Sequence, residues 1–216
     1  MKQSKRYDTS GLIEAQFEPS SRSLVLRNLM SIKSKPEMDK IEAVALQQAE
    51  ESFLRSYDAN HRFTAKDICN MHQVWMGKIY PWAGKFRQVN LAKDAFQFAV
   101  AAHIPKLMKD FEEGPLKHHT PCDFKDTDRI IKALAEAHTE FILIHPFREG
   151  NGRIGRVLST LMALQANLPP LDFSPIQGKK RQSYFKAVQA GLDRKYEPME
   201  EVFKWVLEKT LKRREG

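Results

Sequence analysis

Twelve residues decide the fold of this chain: His145-Pro146-Phe147-Arg148-Glu149-Gly150-Asn151-Gly152-Arg153-Ile154-Gly155-Arg156. The apolar spacing from Ile130 to Ile144 predicts a helix before them, and the spacing from Val157 to Leu164 predicts the body of a helix after them. The stretch is therefore a helix–loop–helix junction whose loop opens onto a helix start. Such a start has unpaired backbone N–H groups and a partial positive charge, which together favour an anion.

Two residues of the stretch have side chains suited to chemistry on that anion. His145 is a candidate general base, because an unperturbed imidazole has a pKa close to neutrality. A histidine at a helix end more commonly makes a structural hydrogen bond, but the neighbouring residues favour the base. Glu149 is a candidate Mg²⁺ ligand, since this ion prefers hard oxygen ligands that it shares with phosphates. A salt bridge from Glu149 to Arg148 or Arg153 is the alternative.

The remaining residues of the stretch suit a polyphosphate. Gly150 and Gly152 would let the backbone turn sharply and approach a ligand. Asn151 would donate to a phosphate oxygen and tolerate a left-handed backbone. Arg153 and Arg156 are three residues apart on one helical face, so both would reach the same anion. The sequence thus predicts a phosphate site with a base beside it.

Apolar periodicity predicts helices along most of the chain, and hence an all-α fold. The predicted segments are a short helix from Ser10 to Phe17 and longer ones over 34–56, 64–79, 104–113, 127–144, 178–190 and 198–212. Ser34 with Glu37, and Thr64 with Asp67, have the spacing of capping boxes. Gly114 is a predicted helix C-cap, followed by a polar loop.

One segment departs from the helical pattern. Arg87–Leu91 and Phe96–Ala99 alternate apolar and polar residues, which predicts a single short β-hairpin. An isolated hairpin is only marginally stable, so it must pack on helices. It is either a structural cover or a flap that holds a peptide by adding it as a strand, with Asn90, Phe96 and Phe98 as the target-binding residues.

The composition sets limits on the class of protein. The chain is 42% hydrophobic and 29% charged, which is typical of a soluble globular protein. No apolar run is long enough for a membrane span, and the first residues do not resemble a signal peptide. The two cysteines, Cys69 and Cys122, have no metal-ligand spacing, so we expect a reducing, cytoplasmic location. The net charge of +8 is dispersed, which argues against a dedicated nucleic-acid-binding surface.

The stretch matches the Fic family motif, His-Pro-Phe-x-[Asp/Glu]-Gly-Asn-Gly-Arg-x-x-Arg, at every fixed position. Residues 79–87 also resemble the segment that leads into the flap of this family, and the hairpin resembles the flap. The chain therefore resembles Fic/DOC proteins over about residues 35–205, with an N-terminal extension at 1–34 and a basic C-terminal tail at 206–216. The resemblance implies a Fic-type helical bundle with one hairpin flap.

The resemblance implies a protein adenylyltransferase, which transfers AMP from ATP to a Ser, Thr or Tyr hydroxyl of a target protein and releases pyrophosphate. By the same resemblance the base is His145 and the Mg²⁺ ligand is Glu149. The anion hole is formed by Gly150, Asn151 and Gly152. The β- and γ-phosphates are bound by Arg153 and Arg156, and the nucleoside is contacted by Tyr184. Relatives that transfer phosphate carry bulkier residues in place of the two glycines. The intact Gly-Asn-Gly therefore favours AMP transfer.

Two other classes of function stay open. One is transfer of a different group, such as phosphate, UMP or phosphocholine. The other is a non-catalytic nucleotide-binding interaction module, which is disfavoured because such a module would not require His145. The sequence does not identify the target protein, and a toxin, an effector and a regulator are all compatible with it. A homo-oligomer is also compatible.

The N-terminal extension carries a candidate brake. Many Fic proteins are restrained by a helix with the pattern [Ser/Thr]-x-x-x-Glu-[Gly/Asn], whose glutamate pairs with the second motif arginine. Ser10 and Glu14 fit this pattern, with Arg156 as the partner of Glu14, but Ala15 departs from it. The alternatives are an N-terminal helix that only packs on the core, and a separate small antitoxin that supplies the glutamate.

Overall fold

Helices make up nearly all the regular structure in the computed structural model, which describes residues 11–94 and 96–215. The predicted all-α class with one β-hairpin is confirmed. The helices are α1 (Lys35–Ser56), α2 (Ala65–Met76), α3 (Ile104–Phe111), α4 (Lys117–His119), α5 (Thr127–Ile144), α6 (Asn151–Gln165), α7 (Gly178–Ala190) and α8 (Glu197–Glu215). None of these described helices is both long and apolar enough to span a bilayer.

Helix α5 is the centre of the bundle, and α3, α6, α7 and α8 all pack against it. Its small residues Ala133, Ala135 and Ala137 are buried, as is Phe141. Alanines on several sides let neighbouring helices approach closely, so α5 is covered around most of its circumference. The last turn of α5 therefore has a fixed position, and it delivers His145 to one end of the bundle.

One of the two predicted capping boxes is confirmed. The Thr64 hydroxyl accepts from the Asp67 N–H at 3.1 Å and the Asp67 carboxylate accepts from the Thr64 N–H at 2.9 Å, which is a complete capping box. Asp126 caps α5 by accepting from the Asp128 N–H. Ser34 occupies the N-cap of α1, but its side chain makes no capping bond, so the box predicted there is wrong.

The predicted end of the third helix at Gly114 is also wrong. Helix α3 continues into a π-helical turn over Glu112–Leu116 and then into α4. Leu116 is fully buried, as is Phe111 just before the turn. Burial of these two apolar side chains holds the chain in a helical path, and it outweighs the conformational preference of a single glycine.

The hairpin is present, but both strands are shorter than predicted and the first begins later. Strand β1 (Ala92–Lys93) pairs antiparallel with β2 (Phe96–Gln97), with Ala92 opposite Gln97. The alternating segment from Arg87 is not a strand, because the buried side chains of Arg87 and Val89 pack it onto the core. Alternation there reflects burial of one side of an irregular segment rather than sheet pairing.

Arg87 is only 1% exposed and binds four backbone carbonyls. Its Nε donates to His145 O at 2.7 Å, and its two terminal nitrogens donate to Val89 O and Ala99 O, each at 2.6 Å. A longer bond reaches Ile144 O at 3.4 Å. One side chain thus joins the C-terminus of α5 to both ends of the hairpin segment, and it satisfies helix-end carbonyls that α5 leaves unpaired.

Near the start of the chain, the local structure differs from the sequence prediction. The helix predicted from Ser10 to Phe17 is reduced to a 3-10 turn over Ile13–Ala15, and Ser10 lies outside the described residues. Val25, within the predicted N-terminal extension, is buried in the main core. At the other end, α8 runs from Glu197 to Glu215 and includes the position of the boundary predicted after residue 205, which stays a prediction.

We expect Arg87→Met to destabilise the fold by about 3 kcal/mol or more, because several buried carbonyls would lose their donor. Urea unfolding measures this change in the free energy of unfolding. The control is Lys85→Met, which removes an exposed cation in the same segment and should change stability by less than about 0.5 kcal/mol. Equal effects of the two substitutions would contradict the structural role of the Arg87 hydrogen bonds.

Candidate active site

A cavity of about 1270 Å³ lies between the hairpin, the loop after α5, the start of α6 and one face of α7. Most of the predicted site residues line it, namely His145, Glu149, Gly150, Gly152, Arg153, Arg156, Tyr184, Phe96 and Phe98. Asn90, Asn151 and Glu14 are not among the residues that line it. The volume exceeds that of a typical small-molecule pocket, so it has room for a nucleotide and part of a second substrate.

His145 ends α5 in the left-handed conformation, with φ of 53°, and its N–H donates to Phe141 O at 3.0 Å. The backbone reversal separates the imidazole from the helix and directs it into the cavity. Nδ1 lies 3.1 Å from Ile142 O. A carbonyl only accepts, so Nδ1 carries the proton and Nε2 keeps a free lone pair.

The His145 ring stacks on Phe98 of the hairpin, with 3.7 Å between the ring centroids. Burial lowers the pKa of His145 to about 4, and the positive charges of Arg87 and Lys93 also lower it. The bond to Ile142 acts in the opposite direction but is weaker. His145 is therefore neutral at pH 7, with Phe98 against its ring.

The loop after His145 is held by Phe147, which is fully buried and stacks on His72 with centroids 4.0 Å apart. His72 Nδ1 accepts from the Gly84 N–H at 2.8 Å, so Nε2 carries the proton and donates to Glu149 O at 3.1 Å. Burial lowers the pKa of His72 to about 4, which keeps this arrangement neutral. Phe147 thus anchors the loop in the core.

Asn151 does not face the cavity, contrary to the expectation from sequence. It is 2% exposed, and its side chain closes the loop on Phe147: Oδ1 accepts from the Phe147 N–H at 2.8 Å, and Nδ2 donates to Phe147 O at 2.7 Å. The left-handed residue is Gly150 rather than Asn151, which is the first residue of α6. The side chain thus shapes the loop, and the backbone N–H remains at the helix start.

The two glycines of the loop serve different needs. Gly150 has φ of 84°, and a Cβ there would lie 2.7 Å from the Trp75 ring. Gly152 lies in the first turn of α6, and a Cβ there would meet no atom within 4 Å. Gly150 is therefore required by packing, whereas the missing side chain of Gly152 leaves open space beside the free N–H groups of α6.

The two motif arginines have different environments. Arg153 donates to the buried Glu42 at 2.6 Å and to Glu149 at 3.3 Å. Arg156 is exposed and makes no ion pair with any residue that the structure describes. The sequence predicted equivalent roles for the two, but Arg153 lies in ion pairs, whereas Arg156 lines the cavity outside ion-pair distance of every described carboxylate.

Glu149 lies at the cavity wall with its side chain 48% exposed. Oε1 accepts from the Gly150 N–H at 3.0 Å as well as from Arg153, so the salt bridge considered as the alternative to metal binding is present. The described residues contain no cluster of three or more metal-ligating side chains. A single accessible carboxylate still fits Mg²⁺, which usually takes most of its ligands from phosphates and water.

Tyr184 lines the cavity from α7, and its hydroxyl lies 2.8 Å from His138 Nε2. His138 is buried beneath it, with Nδ1 3.1 Å from the Ser159 hydroxyl. Burial lowers the pKa of His138 to about 4, so this ring is neutral. The network fixes the position of the Tyr184 ring in the cavity wall.

The hairpin covers one side of the cavity and touches α7. Phe96 lies against Phe98, with centroids 5.2 Å apart, and the Lys93 ammonium lies 3.6 Å from the Phe185 ring centroid. Asn90 is outside the lining, because its Oδ1 accepts from the Ala101 N–H at 2.9 Å. Sequence reasoning missed Lys93 and Phe185, since no local pattern joins a hairpin to a helix so distant in the chain.

Glu14 does not pair with Arg156 in the structure, so the contact expected for a brake is not made. Glu14 is 6% exposed, and its carboxylate accepts from the Gln88 N–H at 2.6 Å. Arg148 donates to the Glu14 carbonyl at 2.8 Å. The N-terminal segment therefore joins the start of the hairpin segment to the loop after α5.

The sequence model of the Fic/DOC family matches residues 62–163, which include α2, the hairpin, the loop and almost all of α6. Residues 62–163 therefore form a Fic/DOC family domain. The Fic motif of this domain is the twelve-residue stretch from His145 to Arg156, which lines the cavity. The resemblance inferred from sequence is confirmed.

Proteins related to this Fic domain include two adenylyltransferases. Over 136 residues the chain is 31% identical to protein adenylyltransferase Fic of Drosophila erecta, and the match covers 59% of this chain and 25% of that protein. Over 147 residues it is 26% identical to protein adenylyltransferase VbhT of Bartonella schoenbuchensis, which covers 66% of this chain and 29% of that protein. The chain thus spans little more than a quarter of the length of these curated relatives.

The fold of the domain is similar to solved Fic structures. The N-terminal Fic domain of a putative cell filamentation protein from Bartonella quintana, solved with bound ADP, superimposes with a TM-score of 0.67 at 24% identity. The match covers 84% of this chain and 89% of that chain. The Fic-type helical bundle with a hairpin flap is therefore confirmed.

We expect Phe98→Ala to raise the pKa of His145 from about 4 towards its unperturbed value near 6.5, because the stacked ring that buries it would be lost. NMR titration of histidine side-chain resonances measures this pKa. The control is Phe96→Ala, which removes a ring that contacts Phe98 but leaves the Phe98–His145 stack. A His145 pKa unchanged by Phe98→Ala would contradict burial by Phe98 as the cause of the low value.

We expect Glu14→Ala to speed hydrogen exchange of the Gln88 amide by roughly tenfold or more, because that N–H would lose its acceptor. The matched control is Glu18→Ala. Glu18 is also buried and accepts from the Asn28 N–H at 2.9 Å, so exchange should rise at Asn28 and not at Gln88. Unchanged exchange at Gln88 together with higher enzymatic activity would instead favour an inhibitory role for Glu14.

Proposed function

We propose that the protein is a Mg²⁺-dependent adenylyltransferase that transfers AMP from ATP to a hydroxyl of a target protein. One observation carries the proposal: the free Nε2 lone pair of His145 lies in the same cavity as the open start of α6 and the uncompensated Arg156. The curated relatives named as adenylyltransferases and the ADP in the B. quintana domain support the same substrate class.

The reaction follows from the arrangement. The hydroxyl oxygen of the target attacks the α-phosphorus of ATP, and its proton passes to His145 Nε2. The bond from the α-phosphorus to the oxygen that bridges to the β-phosphate breaks, and pyrophosphate leaves with that electron pair. The backbone N–H groups at the start of α6, beside Gly152, hold the charge that develops on the phosphoryl oxygens, and Arg156 holds the leaving group.

Glu149 would hold the magnesium ion. Its accessible carboxylate is the one acidic group of the motif, and it lies on the same wall as Arg156. Bound Mg²⁺ neutralises phosphate charge and orients the polyphosphate chain. Tyr184, fixed by His138, would form the wall for the nucleoside.

The hairpin connects substrate binding to the state of the base. With Phe98 on its ring, His145 has a pKa of about 4 and is a weak base at neutral pH. A target segment that lies along the hairpin would displace Phe98 and expose the ring. The pKa of His145 would then rise towards neutrality, and its strength as a base would increase at the moment the hydroxyl arrives.

We expect the wild-type protein, incubated with a cell lysate, Mg²⁺ and ATP labelled at the α-phosphate, to label a protein hydroxyl with AMP. His145→Asn should lower this labelling by roughly a hundredfold or more, because the base is lost while asparagine tolerates the left-handed backbone. Mass spectrometry of the labelled residues measures the adduct.

The matched control is His103→Asn, which changes an exposed histidine that does not line the cavity. Its labelling should equal that of the wild type. ATP labelled at the γ-phosphate, labelled UTP and labelled CDP-choline test the other transfer reactions. Labelling from one of these donors and not from the α-phosphate of ATP would overturn AMP transfer, and labelling by His145→Asn at the wild-type rate would overturn the role of His145.

A further inference from the structure

A buried carboxylate lies behind the cavity wall, outside the region that matches the Fic family. Glu42 of α1 is 3% exposed, and both its oxygens have partners. Oε1 accepts from the Tyr80 hydroxyl at 2.7 Å, and Oε2 accepts from Arg153 at 2.6 Å. The Glu42 backbone carbonyl also accepts from Trp75 Nε1 at 2.9 Å, so the start of α1 is fixed to α2 at this point.

The charge of this carboxylate restricts Arg153. Arg153 is the only cationic side chain within ion-pair distance of Glu42 in the described part of the chain. A buried charge without its partner is strongly unfavourable, so Arg153 cannot leave Glu42 without a large penalty. The guanidinium also lies 4.5 Å from the Trp75 ring centroid, which limits its movement further.

Arg153 has a second carboxylate on its other side. Its other terminal nitrogen donates to Glu149 at 3.3 Å, and the Arg153 side chain is 26% exposed. A single guanidinium is thus shared between a buried carboxylate and the candidate metal ligand. Its charge is therefore largely balanced by these two carboxylates, whereas no carboxylate of the described residues lies within ion-pair distance of Arg156.

We propose that Glu42 is a positioning residue that holds Arg153 against the cavity wall, where Arg153 orients Glu149 and is withheld from the anionic ligand. Arg156 is then the motif arginine that binds the phosphates. This inference rests on the proposed function, since it assigns different roles to two arginines at a polyphosphate site. The contacts of Glu42 with Arg153 and of Arg153 with Glu149 do not depend on that function.

The test compares Glu42→Gln with Tyr80→Phe. Glutamine keeps the shape of the side chain and removes its charge. Tyr80→Phe removes the other hydrogen bond to the same carboxylate and leaves the pair with Arg153, so it controls for local disruption. The first measurement is the mobility of the Arg153 guanidinium, from NMR relaxation of its Nε–H group, identified by its loss in Arg153→Gln.

The second measurement is calorimetric binding of inorganic tripolyphosphate without Mg²⁺, a probe that reports charge in the cavity and requires no reaction. We expect Glu42→Gln to make Arg153 mobile and to tighten tripolyphosphate binding by roughly tenfold, the effect of one added charge-assisted contact. Tyr80→Phe should change neither quantity.

Failure of either result in Glu42→Gln, or an equal change in Tyr80→Phe, would overturn the proposal. Both measurements are independent of AMP transfer. A wild-type protein that transfers no AMP would therefore refute the proposed function while these two results still decide the role of Glu42.

Discussion

The buried guanidinium of Arg87 is the contact on which the site depends. Helix α5 must end inside the protein, and its last carbonyls need donors that water cannot supply. Arg87 supplies them to Ile144 and His145, and with its remaining N–H groups it binds Val89 and Ala99 on the hairpin segment. The same guanidinium that satisfies a helix end thus fixes the distance between the candidate base and the flap that covers it.

Charge is distributed unevenly around the cavity, and burial explains the pattern. Glu42 is buried and holds Arg153, while Glu149 at the rim shares that arginine. Arg156, one helical turn further along α6, faces the cavity with no described carboxylate in ion-pair contact. Two residues of the same type, three positions apart, therefore differ in what they offer to a ligand. Glu42 of α1 pairs with Arg153, whereas Glu50 of the same helix acts on Arg156 only from beyond ion-pair distance.

The parts that were predictable from sequence depend on local chemistry. The helix–loop–helix junction, the Thr64 capping box and the placement of His145 in a cavity with Arg156 all follow from spacing within a few residues.

The missed features depend on distant partners: Arg87 lies 58 positions from His145, and Glu42 lies 111 positions from Arg153. The sequence predicts that the Asn151 amide donates to a phosphate, but in the structure this amide makes hydrogen bonds to the backbone of Phe147. At Gly114 the burial of Leu116 outweighs the local preference. Sequence patterns indicate the preferences of a residue, and packing decides which preference is satisfied.

Under the proposed function, the stack of Phe98 on His145 would make the hairpin an intramolecular competitor of a target segment. Phe98 is tethered a short distance from the ring, so its effective concentration there is high and does not change with the amount of protein in the cell. Each target of the proposed reaction would have to displace it, which would lower the apparent affinity of all targets by a common factor. A hydroxyl that arrives alone, such as that of a free amino acid or water, brings no side chains to replace the lost aromatic contact. Under the proposed function, only a partner with an extended segment along the hairpin would compensate for that loss. Selectivity for proteins over small alcohols would then follow from the Phe98–His145 stack.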